Sequence, residues 1–231
     1  MISRFHYITQ DLPGFSHAEL AECACKGGAD WVQLRVKNKS YDEWLKIAQE
    51  TKFVCLKYEA KFIINDNVQI AKEAGADGVH LGKEDMNPKE ARKILGKNFI
   101  IGGTASSLEE VKEQMQNEVD YIGLGPFRFT TTKEKLSPVL GAKGIKEIIQ
   151  KAPPLGKDLG WAGSFIAIGG IKLEDVEPLM QTGIYGVAVS SAINLLEDKI
   201  EATKNFRHEL NKTACRRPVQ IGVHVSNCFL Q

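Results

Sequence analysis

The chain has almost no net charge, no cysteine-pairing pattern and no long apolar run. Lys and Arg number 30 against 29 Asp and Glu, a formal charge of +1. It therefore lacks the basic excess that a nucleic-acid coat or an anionic-membrane binder needs. No apolar stretch reaches the roughly 18 residues of a membrane span. The opening residues MISRFHYITQ lack the apolar core of a secretory signal and read as a strand. The five cysteines, Cys23, Cys25, Cys55, Cys215 and Cys228, are odd in number and form no CxxC. Neither a disulfide framework nor a zinc cluster is expected, and scattered small hydrophobes in a reducing compartment are. With 43% hydrophobic and 26% charged residues, the balance is that of a soluble, cytoplasmic protein with no nucleic-acid or membrane partner.

A repeated phrase organises the chain. GGADWVQL begins at Gly27, AGADGVHL at Ala74, NEVDYIGLG at Asn117 and TGIYGVAV at Thr182. Each copy closes a helical stretch and opens a run with apolar residues at alternate positions. Gly28, Gly75 and Gly183 fall where a helix C-terminus needs a left-handed residue. The markers Asp30, Asp77, Asp120 and Tyr185 are spaced by 47, 43 and 65 residues, and each step has room for two strand–helix units. The intervening strands read FHYIT (5–9), KFIIND (61–66), FIIGGT (99–104) and FIAIGGI (165–171). Eight strands alternating with helices predict a single (β/α)8 TIM barrel over residues 1–212. The rival is an open doubly wound sheet, disfavoured because no GxGxxG follows the first strand. The long third step holds a loop at 128–141 and a Gly/Pro-rich insertion at 153–164. The segment 213–231 matches no barrel element. It is expected to stand outside the barrel, loosely ordered or non-native.

Strand phase points to a site. In WVQLRVK (31–37), Val32, Leu34 and Val36 face the helical shell, while Gln33, Arg35 and Lys37 climb the interior toward the C-terminal mouth. Two cations there must ride into solvent, pair with a carboxylate or meet an anion. Other strand ends agree: Asn65-Asp66, Lys83-Glu84-Asp85, Thr104, the Thr130-Thr131-Thr132-Lys133 loop, Gly169-Gly170 and Ser190-Ser191. Carboxylates without His or Cys partners suit Mg²⁺. Glycines and serines after the last two strands suit a phosphate. His80 and His6 read as inward core histidines.

QLRVK (33–37), IIND (63–66), GVHLGKED (78–85), GPFRFTTTK (125–133), AIGGI (167–171) and GVAVSSAI (186–193) resemble the thiamine-phosphate synthase, or thiamine-phosphate pyrophosphorylase, family. That resemblance spans roughly Phe5 to Leu210 and implies a (β/α)8 barrel. The implied transferase joins 4-amino-2-methyl-5-hydroxymethylpyrimidine diphosphate to a thiazole phosphate, releasing pyrophosphate and making thiamine phosphate. By the same resemblance Gln33, Leu34, Arg35, Val36, Lys37, Asn65, Thr104 and Lys133 hold the pyrimidine diphosphate. Asp66 and Asp85 are its Mg²⁺ ligands. Thr130, Thr131, Thr132, Gly170, Ser190 and Ser191 hold the thiazole phosphate. Arg35, Lys37 and Lys133 are the catalytic cations, acting through a dissociative loss of diphosphate. The partners implied are these two small molecules, with homo-oligomerisation left open.

One departure stands out. The family commonly carries Ser-x-His after strand five, where this chain reads Thr104-Ala105-Ser106. The sister thiazole tautomerases depend on that His and usually lack the metal acids, so Ser106 with Asp66 and Asp85 favours the synthase. A sugar-phosphate epimerase or isomerase would need a positioned acid/base pair and would leave Thr-x-Thr-Lys unexplained. A non-catalytic barrel binding a phosphorylated ligand is the remaining alternative.

Overall fold

The computed structural model describes residues 1–129, 138–152 and 164–215. Its eight parallel strands are β1 Phe5–Ile8, β2 Trp31–Leu34, β3 Lys61–Asn65, β4 Gly78–Leu81, β5 Ile100–Ala105, β6 Tyr121–Leu124, β7 Ser164–Ile168 and β8 Gly186–Val189. They pair in chain order and close on themselves, with Phe5, His6 and Tyr7 opposite Val187, Ala188 and Val189. Closure establishes the barrel and excludes the open sheet. Around it run α1 His17–Lys26, α2 Tyr41–Lys57, α3 Val68–Glu73, α4 Pro88–Leu95, α5 Leu108–Gln116, α6 Gly141–Lys151, α7 Val176–Gln181, α8 Ser191–Asn194 and α9 Lys199–Cys215. Ser16 and Ser40 each close a capping box with Glu19 and Glu43, a device that contributes about 1 kcal/mol per helix. In α9 the buried Thr213 donates to the Leu210 carbonyl at 2.8 Å. Residues 216–231, most of the expected tail, lie outside the described residues.

Alternation along the strands sorts side chains into two layers. Val32, Leu34 and Val36 pack beneath the helices. Ile8, Trp31, Ile63, Tyr121, Ile166 and Ala188 fill the interior. Several strands stop short of their apolar runs. Asp66 (φ 68°) and Gly169 (φ 100°) turn the chain out of the extended region after β3 and β7. The strand expected to reach Lys37 ends at Leu34, one residue past the last one paired with β1, although β3 on its other side runs on to Asn65. Side chains take over the ladder there: the Arg35 N–H donates to Thr9 Oγ1 and the Lys37 N–H to Asp11 Oδ2, both at 3.1 Å.

The left-handed turns expected before the repeat strands are present at Gly28, Gly75 and Gly183. The third copy puts Glu118 (φ 57°) in that place, and Glu59 (φ 55°) does the same before β3.

The aspartates of the repeat sit at the N-terminal end of the barrel, where they join neighbouring units. Asp77 Oδ2 accepts from the Phe62 N–H at 2.9 Å, and Asp120 Oδ2 from the Ile101 N–H at 2.7 Å. Asp30 Oδ1 accepts from the Ser3 hydroxyl at 2.6 Å. Lys52 and Lys61 also pair with Asp77, at 3.2 and 2.8 Å. Partial burial pushes the Asp77 carboxyl up, but Lys61, the Phe62 amide and Lys52 outweigh it and hold the group below its ordinary value. A carboxyl whose folded pKa is depressed stabilises the fold above its unfolded pKa, and the contribution is lost as pH falls through the folded value. Asp77→Ala is therefore expected to destabilise the protein by about 1–3 kcal/mol at neutral pH. In urea titrations the gap from wild type should shrink as pH drops below about 4. A gap that stayed constant to acid pH would assign the loss to packing.

Candidate active site

At the C-terminal end of the strands lies a cavity of about 600 Å³. Gln33, Arg35 and Lys37 reach it from β2 and the turn beyond, Asn65 and Asp66 from the end of β3, and Asp85 from the turn after β4. Thr104 comes from β5, Gly170 from after β7, and Ser190 and Ser191 from after β8. Ile8, Pro126, Ile168, Ile171 and Ala188 supply apolar wall. Leu34 and Val36 point the other way, into the layer beneath the helices, and neither lines the cavity. Thr130, Thr131, Thr132 and Lys133 lie outside the described residues.

The floor of the cavity is a fixed hydrogen-bonded surface. Gln33 Nε2 donates to Asn65 Oδ1 at 2.7 Å, with both side chains buried. Each amide spends one group on the other, leaving the Gln33 carbonyl and the Asn65 amino group for a ligand. Beside them His80 is engaged on both nitrogens, Nδ1 with the Tyr121 hydroxyl at 3.1 Å and Nε2 with Thr104 Oγ1 at 3.0 Å. Burial pushes the Tyr121 phenol well up, so it keeps its proton. His80 thus links the Tyr121 hydroxyl to the Thr104 hydroxyl at the cavity wall. Space for this relay comes from two glycines. A Cβ on Gly102 would sit 2.2 Å from the Tyr121 ring, and one on Gly123 would sit 3.0 Å from His80. His6 stacks on Trp31 with centroids 4.1 Å apart. Its pKa is lowered to about 3 by burial and the nearby His80, against the opposing Ser3 carbonyl. Both histidines are neutral or engaged core residues, as the strand phase predicts.

The carboxylates are held by their main chains. Asp66 sits in the left-handed region with its N–H on the His80 carbonyl at 2.8 Å. Asp85 Oδ2 accepts from the Gly82 N–H at 2.6 Å. Among the described residues no three His, Cys, Asp or Glu side chains come together as a metal cage. Two oxygen donors without nitrogen or sulfur fit Mg²⁺, which is commonly bound by one or two carboxylates plus substrate phosphates.

Two arrangements at the rim are not legible in motif or phase. Arg128 forks onto Asp175, NH1 to Oδ2 and NH2 to Oδ1 at 2.8 Å each, and NH1 also donates to the Gly170 carbonyl at 3.2 Å. This ties the turn after β6 to the Gly169-Gly170 turn, where a Cβ on Gly170 would come within 3.0 Å of the Phe129 carbonyl. Ser106, in the place of the family's His, takes a 2.6 Å bond from Lys83 Nζ and gives one of 2.9 Å to Glu110. No base stands at that position.

A family model for thiamine monophosphate synthase matches residues 6–193. The thiamine-phosphate synthase of Flavobacterium johnsoniae is 46% identical over 199 residues, covering 86% of this chain and 92% of the relative. That of Bacteroides fragilis is 45% identical over 200 residues, covering 87% and 96%. Among solved structures, thiamine phosphate pyrophosphorylase from Pyrococcus furiosus superposes with a TM-score of 0.79 at 31% identity, covering 91% of this chain and 96% of that one. With the family model spanning most of the chain and relatives matched along nearly their whole length, the chain belongs to the thiamine monophosphate synthase family.

Proposed function

We propose that the protein is a thiamine-phosphate synthase that joins a pyrimidine diphosphate to a thiazole phosphate with release of pyrophosphate. The observation that carries this reading is the meeting of three chemistries in one cavity: the Arg35 and Lys37 cations, the Asp66 and Asp85 carboxylates, and the Gln33–Asn65 amide pair. A carbonyl beside an amino group matches the mixed donor and acceptor edge of an aminopyrimidine. Arg35 and Lys37 then face the diphosphate, and the Thr104 hydroxyl lines the same cavity. Asp66 and Asp85 would hold Mg²⁺, whose chemistry is to neutralise charge on the departing diphosphate.

The bond that breaks joins the pyrimidine methylene to the diphosphate oxygen, and its electron pair leaves with the diphosphate. The bond that forms uses the thiazole nitrogen lone pair. No proton need be removed, which agrees with His80 being committed on both sides. The main chain at Gly170, Ser190 and Ser191 would cradle the thiazole phosphate. There Ser190 is held by Asn194, whose Nδ2 donates to Ser190 Oγ at 3.2 Å and to the Ile8 carbonyl at 2.9 Å. Lys133 and Thr130 to Thr132 complete the reading on sequence resemblance alone. A cytoplasmic setting belongs to the same proposal, supported by Cys23, Cys25 and Cys55 being free thiols.

Pyrophosphate release should require both substrates and Mg²⁺ together, and chelation should abolish it. Folded protein that binds both phosphorylated compounds without releasing pyrophosphate would move the assignment to a ligand-binding barrel.

A further inference from the structure

Thr9, Asp11 and His17 lie outside the cavity, and no step of the reaction uses them. Thr9 and Asp11 belong to the segment between β1 and α1, His17 is the first residue of α1, and the bonds of Thr9 and Asp11 end on the two residues that carry the cations. Thr9 is fully buried and His17 is 6% exposed. His17 Nδ1 lies 2.8 Å from Thr9 Oγ1, and its Nε2 lies 3.3 Å from Asp11 Oδ1. The same Thr9 oxygen accepts the Arg35 N–H, and the other Asp11 oxygen accepts the Lys37 N–H, both at 3.1 Å.

The protons in this ring can be placed one by one. A carboxylate only accepts, so His17 Nε2 carries a hydrogen and gives it to Asp11. A neutral ring then accepts at Nδ1, so the Thr9 hydroxyl donates there while its oxygen receives the Arg35 amide. Burial lowers the His17 pKa against the opposing pull of Asp11, in keeping with a neutral ring. The result is a closed circuit from the Arg35 amide through Thr9, His17 and Asp11 to the Lys37 amide. It begins and ends within three residues of one strand end, just where the sheet ladder has stopped.

We propose that Thr9, His17 and Asp11 form a clamp that fixes the main chain at Arg35 and Lys37 and so sets where the two cations meet the diphosphate. His17 is a positioning residue that never touches substrate. The inference rests on the reading of Arg35 and Lys37 as diphosphate-holding groups. Without the Thr9 and Asp11 bonds the main chain that carries both cations could shift, and a misplacement of about 1 Å costs on the order of 100-fold in rate.

Thr9→Val keeps the shape of the side chain and removes the hydroxyl. It should lower kcat/KM for the pyrimidine diphosphate by roughly 10- to 100-fold and leave KM for the thiazole phosphate unchanged. His17→Ala should do the same, and Thr9→Ser, which restores the hydroxyl, should recover most of the loss. In an Arg35→Ala background the further effect of Thr9→Val should be much smaller than in wild type. A lower melting temperature with wild-type kcat and KM would make the network purely structural and overturn the clamp. Full additivity with Arg35→Ala, or an equal rise in KM for both substrates, would overturn it as well. If Thr9→Val is silent while Arg35→Ala is impaired, the clamp alone fails. If Arg35→Ala is itself silent, the diphosphate reading of that residue fails and takes the clamp with it.

Discussion

Asp66→Asn should lower kcat/KM by about a thousandfold, equivalent to roughly 4 kcal/mol of transition-state stabilisation. Asparagine is the informative replacement because of where Asp66 sits. Its φ of 68° is a conformation that Asn tolerates nearly as well as Asp, whereas alanine would add backbone strain. The Asp66 N–H bond to the His80 carbonyl needs only the main chain and survives the change. What disappears is one negative charge beside Asp85. If Asp66 is half of a two-carboxylate metal site, Mg²⁺ affinity falls with it, and part of the lost activity should return at high Mg²⁺. Pyrophosphate release measured across a Mg²⁺ titration checks this. An unchanged Mg²⁺ midpoint would remove Asp66 from the metal site.

Arg35→Ala should slow the release of diphosphate in a single turnover by roughly 10²- to 10³-fold, the scale of losing one preorganised donor to developing charge. Arg35→Lys should restore only part of that rate. A lysine offers a point charge in place of the planar fork that can hold two phosphate oxygens at once. Arg35 is also better placed than an ordinary surface arginine, since its main chain is pinned to Thr9. Loss of the guanidinium therefore removes a donor whose ordering cost is already met by the fold. A rate within a factor of two of wild type would show that Lys37 and the loop lysine carry the leaving group without it.

Much of this was legible in the residue order. The repeat at Asp30, Asp77, Asp120 and Tyr185 predicted eight strands, and the alternation in WVQLRVK placed Gln33, Arg35 and Lys37 on the inner face. Asp66 and the downstream Asp85 stood out as a metal-type donor set, and both reach the cavity with Asn65 beside them. The strand ends were less legible. Arg35 and Lys37 alternate like strand residues, yet β2 stops at Leu34, and their amides turn to the Thr9 and Asp11 side chains beyond β1. Leu34 and Val36 lie within the motif, but their side chains face the helices. The role of the repeated aspartates also stayed hidden. Nothing local to Asp77 shows that it closes on the amide of Phe62, 15 residues earlier.

The sequence alone determined the barrel, the family and the inward face of β2. Those follow from local rules, the period-two alternation of a strand and the short motifs at strand ends. The tertiary structure decided which groups meet: Gln33 with Asn65, His80 with Tyr121 and Thr104, and Arg128 with Asp175 between strand ends, and His17 with Thr9 and Asp11 where the turn after β1 enters α1. Pairs of the first kind depend on register and on closure of the barrel, which bring together residues far apart in the chain, 186 positions for Asn194 and Ile8. Spacing along the chain carries no information about that geometry, since each partner's place is set by the packing of the strands between them.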